Sequence, residues 1–178
     1  MNTEHDIAIW ALTPSGINIA RQLTKKLKKT SLFYSKSIDD NTGAITFEKL
    51  SQAVSEYFQR FKGHIFIMST GIVVRVIANH IKHKAKDPAV VVVDDSARFA
   101  ISLISGHIGG ANELAFSISN ILSCTPVITT ATDVNNLPAI DMIAKQQSLI
   151  IENHDMIKQI NMAFIKNKRS CCMIHITC

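Results

Sequence analysis

Residues 102–114 read Ser-Leu-Ile-Ser-Gly-His-Ile-Gly-Gly-Ala-Asn-Glu-Leu, and this stretch decides how the chain is interpreted. An apolar strand predicted over residues 99–104 runs into a turn of small residues, and an amphipathic helix is predicted over residues 110–122. The glycines allow a ligand close to the backbone, and the first amides of a helix lack intrahelical partners and favour an anion. With the imidazole of His107 on the turn, the pattern indicates a ligand site in an α/β protein.

The glycine spacing differs from the dinucleotide fingerprint G-x-G-x-x-G, and the chain has no G-x-x-x-x-G-K-[ST] motif. A P-loop is therefore not expected. His80 and His83 are three residues apart, but without a third ligand they do not make a metal site. The sequence accordingly predicts no metal bound by the protein.

The composition is that of a globular protein, with 178 residues, 47% hydrophobic and 19% charged. No apolar run approaches the ~20 residues that cross a bilayer, so we expect no membrane association. The first six residues do not look like a secretion signal, and the four cysteines form no C-x-x-C pair. Free thiols and the lack of a signal predict a cytoplasmic location.

The formal net charge is +5, and much of the excess comes from two groups of lysines. These are Lys25, Lys26, Lys28, Lys29, Lys82, Lys84 and Lys86. In one interpretation these lysines lie at solvated helix ends, where cations interact favourably with the helix dipole. In the other, they create a positive electrostatic field that attracts a polyanionic small molecule. Nucleic acid is not expected, because aromatic residues are 6% of the chain and do not interleave with the basic ones.

Strand and helix patterns alternate along the chain and predict an open, mostly parallel sheet with helices on both faces, in Rossmann-like layers. Strands are predicted at residues 7–12, 32–34, 65–68, 90–93, 99–104 and 126–128, and a weak one at 171–176. Helices are predicted at 14–27, from a cap at Thr46 to about 61, at 71–81, 110–122, 138–146 and 155–165. Asp94 to Arg98 is typical of a hairpin-type turn.

Polar and glycine-rich turns follow the first, third, fifth and sixth predicted strands, and we expect them to share the carboxyl edge of the sheet, where such sheets bind ligands. They contain Thr13; Ser69, Thr70 and Gly71; Ser105, Gly106 and His107; and Thr129, Thr130, Thr132 and Asp133. The alternative for each hydroxyl is that it caps its own helix. Taken together, the four turns favour a donor-rich site for carboxylates or phosphates.

Four stretches in order closely resemble the N-terminal region of the CbiG family of cobalt-precorrin-5A hydrolases. They are residues 69–75 (STGIVVR), 87–94 (DPAVVVVD), 102–115 and 126–133. Residues 134–166 resemble the start of that family's central region. We therefore expect domains at 1–133 and 134–178. The family's C-terminal domain is not matched, and one interpretation is that this chain acts with a separately encoded C-terminal hydrolase domain.

The resemblance implies hydrolytic opening of the ring-A lactone of a cobalt-containing corrinoid in anaerobic vitamin B12 synthesis, with release of acetaldehyde. No cofactor is expected, since the cobalt belongs to the substrate. That substrate bears several carboxylates, which agrees with the basic charge balance. Two alternatives stay open: a corrinoid-binding module without chemistry, and an inactive fragment.

Lactone opening needs a base and donors for the oxyanion. His107 is the first candidate base, with Glu113 and Asp133 in reserve. The amides of Gly109 and Gly110 are candidate oxyanion donors, and Arg75 is a candidate partner of a substrate carboxylate. The predicted substrate-binding set is Thr13, Thr70, Gly71, Arg75, Ser105, Gly106, Gly109, Gly110, Asn112, Thr129, Thr130 and Thr132.

Each candidate has a structural alternative. His107 would fix its own loop, Glu113 would complement the helix dipole, and Asp133 would cap the following helix. Arg75 would pair with Asp87 or Asp94. Asp94 itself would only hold the turn before Arg98.

Overall fold

The computed structural model describes residues 6–38, 43–83, 86–135, 137, 140, 143, 144, 147, 149–151, 153 and 155–166. The strands are β1 (Ile7–Ala11), β2 (Thr30–Ser35), β3 (Ile45–Phe47), β4 (Gly63–Ile67), β5 (Ala89–Val93), β6 (Phe99–Ile104) and β7 (Thr125–Val127). The helices are α1 (Pro14–Lys26), α2 (Leu50–Tyr57), α3 (Thr70–Ile77), α4 (Ala111–Leu122), α5 (Ala131–Val134) and α6 (Asp155–Ile165). A short 3-10 turn, Ala78–His80, follows α3.

The sheet has the strand order β3-β2-β1-β4-β5-β6-β7. Neighbouring strands are parallel except for β5 and β6, which pair antiparallel with Val93 opposite Ala100 and Val90 opposite Ile104. The predicted open, mostly parallel sheet is confirmed. Strands β6 and β7 nevertheless run against the other strands of the sheet.

Helices cover both faces of the sheet. Trp10 and Phe33 lie on one face and pack with Val54 of α2 and Val73 of α3. The next residues along β1 and β2 turn to the opposite face, where Ala11 and Tyr34 cluster with Ile17 of α1. Helix α4 packs beside α1 and against β6. Burial of each large apolar side chain contributes roughly 1.5–3 kcal/mol, so this two-sided core fixes the layers.

Most local predictions are confirmed, but the start of the second helix is wrong and helix α5 lies in a stretch predicted as a turn. The Thr13 side chain accepts the Gly16 N–H at 2.9 Å and caps α1, as predicted. The cap predicted at Thr46 is wrong, because residues 45–47 pair with β2 as an edge strand and the helix begins at Leu50. Pairing with a distant strand overrode the local helical pattern.

The chain divides into two compact units, Met1–Val127 and Ile128–Cys178. The predicted boundary after residue 133 falls inside the second unit. There α5 and α6 are in contact, and the Asn161 side chain accepts the Ile140 N–H at 2.9 Å. The predicted strand at 171–176 lies outside the described residues, as does much of the predicted helix at 138–146. In the described part of the chain, no helix has the length and apolarity to span a bilayer.

Candidate functional site at the glycine turn

The turns of the first unit that were predicted to share one edge lie at two opposite edges of the sheet. Strand β6 is antiparallel to β5, so Ser105 and Gly106 follow it at the edge where β4 and β5 begin. Thr13 and Thr70 lie at the other edge, after β1 and β4. The predicted common rim is therefore wrong. A connection of a few residues can join only antiparallel neighbours, since a parallel crossover needs a dozen or more.

At the carboxyl edge of β1, the N-terminus of α1 is occupied by an acidic side chain. The Thr13 hydroxyl donates to the Asp95 carboxylate, and the Ser15 hydroxyl donates to the Asp95 carbonyl at 2.9 Å. A carboxylate at this position repels an anionic ligand, so Thr13 has the structural role given as its alternative. Sequence reasoning did not single out Asp95.

Thr70 and Gly71 are the first two residues of α3 at this edge. The Arg75 guanidinium donates to the Gly71 carbonyl at 2.9 Å, so the side chain folds back along its own helix. Asp87 instead accepts the N–H groups of Lys82 and His83. Pairing of Arg75 with a substrate carboxylate stays a prediction.

Asp94 holds the turn that reverses the chain direction. Its Oδ1 accepts the N–H groups of Arg98 and Phe99, both at 2.7 Å, and its Oδ2 accepts that of Ser96 at 3.3 Å. Burial alone would raise the pKa of the Asp94 carboxyl, but the hydrogen bonds from Phe99 and Arg98 outweigh it and hold that pKa below its usual value. Its role as a turn anchor is confirmed.

The glycine turn between β6 and α4 is tightly packed. Ser105 has a positive φ of 59°, and Gly110 has a φ of 88°. A Cβ on Gly109 would lie 2.8 Å from the Ser105 carbonyl oxygen, so only glycine fits there. The Ser105 hydroxyl is buried and has no hydrogen-bond partner among the described residues.

The amides that open α4 donate to the turn itself. The N–H groups of Gly110, Ala111 and Asn112 donate to the carbonyls of His107, Ser105 and Gly106, at 2.9, 3.1 and 3.0 Å respectively. The N–H of Gly110 is therefore engaged in this conformation and is not an oxyanion donor. The N–H of Gly109 stays the predicted donor.

The candidate side chains of the turn differ in exposure. His107 is partly buried, and Glu113 is exposed in the first turn of α4. The imidazole and the carboxylate belong to residues six positions apart in the sequence. Asn112 is 6% exposed, and its Oδ1 accepts the Ser102 hydroxyl at 2.6 Å. This bond anchors α4 to β6, and contact of Asn112 with substrate stays a prediction.

The remaining candidates belong to the second unit. Thr130 precedes α5, and its hydroxyl donates to the Asp133 carboxylate at 2.5 Å. Asp133 lies inside α5, and this bond joins two side chains without capping a backbone N–H of the helix. The capping role given as the alternative for Asp133 stays untested. Thr129 is exposed and Thr132 is buried. Their contact with substrate stays a prediction.

Sequence reasoning also missed a buried imidazole in the first unit. His64 is fully buried; its Nδ1 accepts the Trp10 indole N–H at 3.1 Å, and its Nε2 lies 3.0 Å from the Phe58 carbonyl. Burial lowers the pKa of His64 to about 4, although the bond to the Phe58 carbonyl opposes the shift. The signal was its alternation with Phe66, which places both rings on one face of β4.

Comparison with known proteins finds a family similar to the middle of the chain. Residues 52–133 match the family model described as "Cobalamin synthesis G N-terminal", which covers α2 through the glycine turn to α5. Residues 52–133 of this chain are therefore similar to that family. The family match thus includes His107, Glu113 and Asp133.

Two curated relatives extend the similarity over most of the chain. A cobalt-precorrin-5A hydrolase from Salmonella typhimurium is 38% identical over 173 residues, 95% of this chain and 49% of the relative. One from Priestia megaterium is 36% identical over 168 residues, 92% of this chain and 45% of the relative. The chain thus spans about half the length of the curated relatives it matches.

A solved structure shares the fold. A cobalamin biosynthesis protein G homologue from Sulfolobus solfataricus superposes with a TM-score of 0.56 at 23% identity, covering 99% of this chain and 52% of that chain. At this identity the likeness concerns the fold.

Proposed function

We propose that this chain forms the N-terminal half of a cobalt-precorrin-5A hydrolase in anaerobic cobalamin biosynthesis. The observation that carries the proposal is the 38% identity to the Salmonella typhimurium hydrolase over 95% of this chain. The cobalt enters with the substrate, and the protein contributes acid–base groups and hydrogen-bond donors. A cytoplasmic location fits the free, partly buried thiol of Cys124.

In the proposed reaction His107 takes a proton from water, and the water oxygen attacks the lactone carbonyl of ring A. The N–H of Gly109 donates to the resulting oxyanion. The carbon–oxygen bond of the lactone then breaks, which leaves a carboxylate and a secondary alcohol. The position of His107 at a turn, partly exposed and beside the first helical turn of α4, supports its role as the base.

Release of acetaldehyde is a second step. A base takes the proton of the secondary hydroxyl, and the bond between its carbon and the ring carbon breaks. The electron pair of that bond passes to the macrocycle, and the two-carbon fragment leaves as acetaldehyde. His107 can serve again once it has lost its first proton to solvent.

We also propose that a segment equivalent to the remaining half of the curated relatives takes part in turnover. The Arg75 guanidinium is bonded to the Gly71 carbonyl at the edge opposite the glycine turn, so Arg75 is given no part in binding at His107. The complete assembly is the correct sample for kinetics.

The test is incubation with cobalt-precorrin-5A, with and without the C-terminal half of the Salmonella typhimurium relative as a separate chain, while acetaldehyde is assayed. His107→Ala should lower acetaldehyde release about 10²–10⁴-fold, because general base catalysis contributes that much. His83→Gln, at an exposed histidine, is the matched control and should remain active.

Unchanged turnover in His107→Ala would move the base to Glu113 or Asp133. Corrinoid binding without acetaldehyde in every combination of chains would instead show a binding module and refute the proposed enzyme.

A further inference from the structure

The edge of the sheet that carries the glycine turn is continuous. Successive backbone bonds join the starts of its strands: Asp6 N–H to the Lys29 carbonyl at 2.8 Å, Lys62 N–H to the Asp6 carbonyl at 2.9 Å, and Ala89 N–H to the Lys62 carbonyl at 2.9 Å. Val90 then pairs with Ile104, the residue before the turn. The starts of β2, β1, β4 and β5 thus lead directly to Ser105.

This edge is rich in exposed lysines. They precede β2, β4 and β5 or end α1, and we call them together the lysine edge: Lys25, Lys26, Lys28, Lys29, Lys62, Lys82 and Lys86. The Asp6 carboxylate is engaged with Lys62 at 2.9 Å. The buried Asp87 carboxylate accepts backbone N–H groups of the Lys82 segment. The edge therefore has a clear excess of positive charge.

The opposite edge of the sheet differs in its charge. Asp94 and Asp95 follow β5 there, and Lys36 is paired with Glu48 at 3.0 Å. A molecule with several carboxylates is consequently attracted to the edge of the glycine turn and not to the edge where parallel sheets usually bind ligands.

We infer that the lysine edge is the surface that binds the carboxylate side chains of the substrate, while the adjacent glycine turn holds the reacting ring. The inference rests on the proposed function. Neighbouring strands are about 4.8 Å apart, so the start of β4 at Lys62 lies about 10 Å from Ser105 across β5. That separation suits a macrocycle whose acidic side chains radiate from a ring seated at the turn.

The experiment is equilibrium dialysis of the full chain with dicyanocobyrinic acid, a cobalt corrin whose side chains end in free carboxylates, followed by its absorbance. Dicyanocobinamide, which carries amides in those positions and the same two cyanide ligands, is the neutral comparator. The edge variant is Lys62→Gln with Lys86→Gln. The control is Lys36→Gln with Lys49→Gln, which removes the same charge and likewise contains one ion-paired and one exposed lysine.

The edge variant should bind dicyanocobyrinic acid about three- to tenfold more weakly than wild type at about 0.01 M ionic strength, while the control stays close to wild type. The difference should vanish at about 1 M ionic strength, where the screening length is only about 3 Å. Dicyanocobinamide should bind all three proteins equally.

Equal affinities of the edge and control variants, or no binding of dicyanocobyrinic acid to wild type, would overturn the lysine edge. The proposed function is judged separately by acetaldehyde release from cobalt-precorrin-5A. Weaker binding by the edge variant without any turnover would support the lysine edge and refute the proposed hydrolase. Turnover with equal affinities of the edge and control variants would support the hydrolase and refute the lysine edge.

Discussion

The buried imidazole of His64 predicts a loss of stability in mild acid. The folded chain keeps His64 neutral down to about pH 4, whereas an unfolded histidine takes up its proton near pH 6.5. The contribution of the neutral His64 imidazole to the free energy of unfolding is therefore fully present above pH 6.5 and is lost as the pH falls from 6.5 to 4. Below pH 4 it changes little. A proton would also destroy the acceptor at Nδ1 that holds the Trp10 indole N–H.

The magnitude follows from the two pKa values. A difference of about 2.5 units corresponds to about 3 kcal/mol, and roughly 2 kcal/mol of that is lost between pH 7 and pH 5. His64 is 0% exposed, so solvent screening does not reduce the figure appreciably. For a domain with a few kcal/mol of stability, this is a large fraction.

Urea unfolding at pH 7 and pH 5 measures this loss, and the fluorescence of Trp10, the single tryptophan, reports it beside the group that titrates. The comparison is the change in unfolding free energy between the two pH values in wild type, His64→Gln and the exposed-histidine control His83→Gln. His64→Gln should lack the roughly 2 kcal/mol component, and His83→Gln should keep it.

Equal pH dependence in wild type and His64→Gln would refute the reasoning. If His64→Gln does not fold, an NMR titration of the wild-type imidazole decides the same question. An apparent pKa for His64 near 6.5 in the folded protein would refute it.

Two further changes test the turns around the reversed strand. Gly109→Ala should destabilise the protein by about 1–3 kcal/mol in urea unfolding, because its Cβ would meet the Ser105 backbone. Gly71→Ala is the control within a helix. It should be neutral or stabilising by up to about 1 kcal/mol, since its Cβ meets only the flexible end of the Arg75 side chain. A neutral Gly109→Ala would contradict the packing described. Asp94→Ala should cost about 1–3 kcal/mol by leaving backbone N–H groups unpaired, and a loss below about 0.5 kcal/mol in thermal unfolding would show that water replaces the carboxylate.

Local signals were sufficient for most elements. The Thr13-Pro14 cap, the β-branched run before Asp94 and the apolar stripe after Gly110 each placed an element within a few residues. These patterns act through short-range sterics and hydrogen bonds, so the sequence alone contains them. The edge strand at residues 45–47 was missed because its partner β2 lies elsewhere in the chain.

The candidate site was predicted less well than the fold. The glycines of the turn were interpreted as room for a ligand, whereas Gly109 is required because a Cβ there would meet the Ser105 backbone. The sequence did not reveal that Asn112 turns inward to Ser102, or that Asp95 occupies the start of α1. Side-chain partners far apart in sequence are set by how helices pack on the sheet, which no local pattern records.

The sequence by itself determined an α/β sheet, the glycine turn with His107, and an excess of lysines. Only the tertiary structure decided that these lysines and this turn meet at one edge. The deciding element is the short Asp94–Arg98 connection, which reverses β6 and carries its carboxyl end to the side where β4 and β5 begin. The short length of this connection already predicted a hairpin-type turn. The reversed direction of β6, however, depends on its pairing with β5, a contact that forms only in the folded chain.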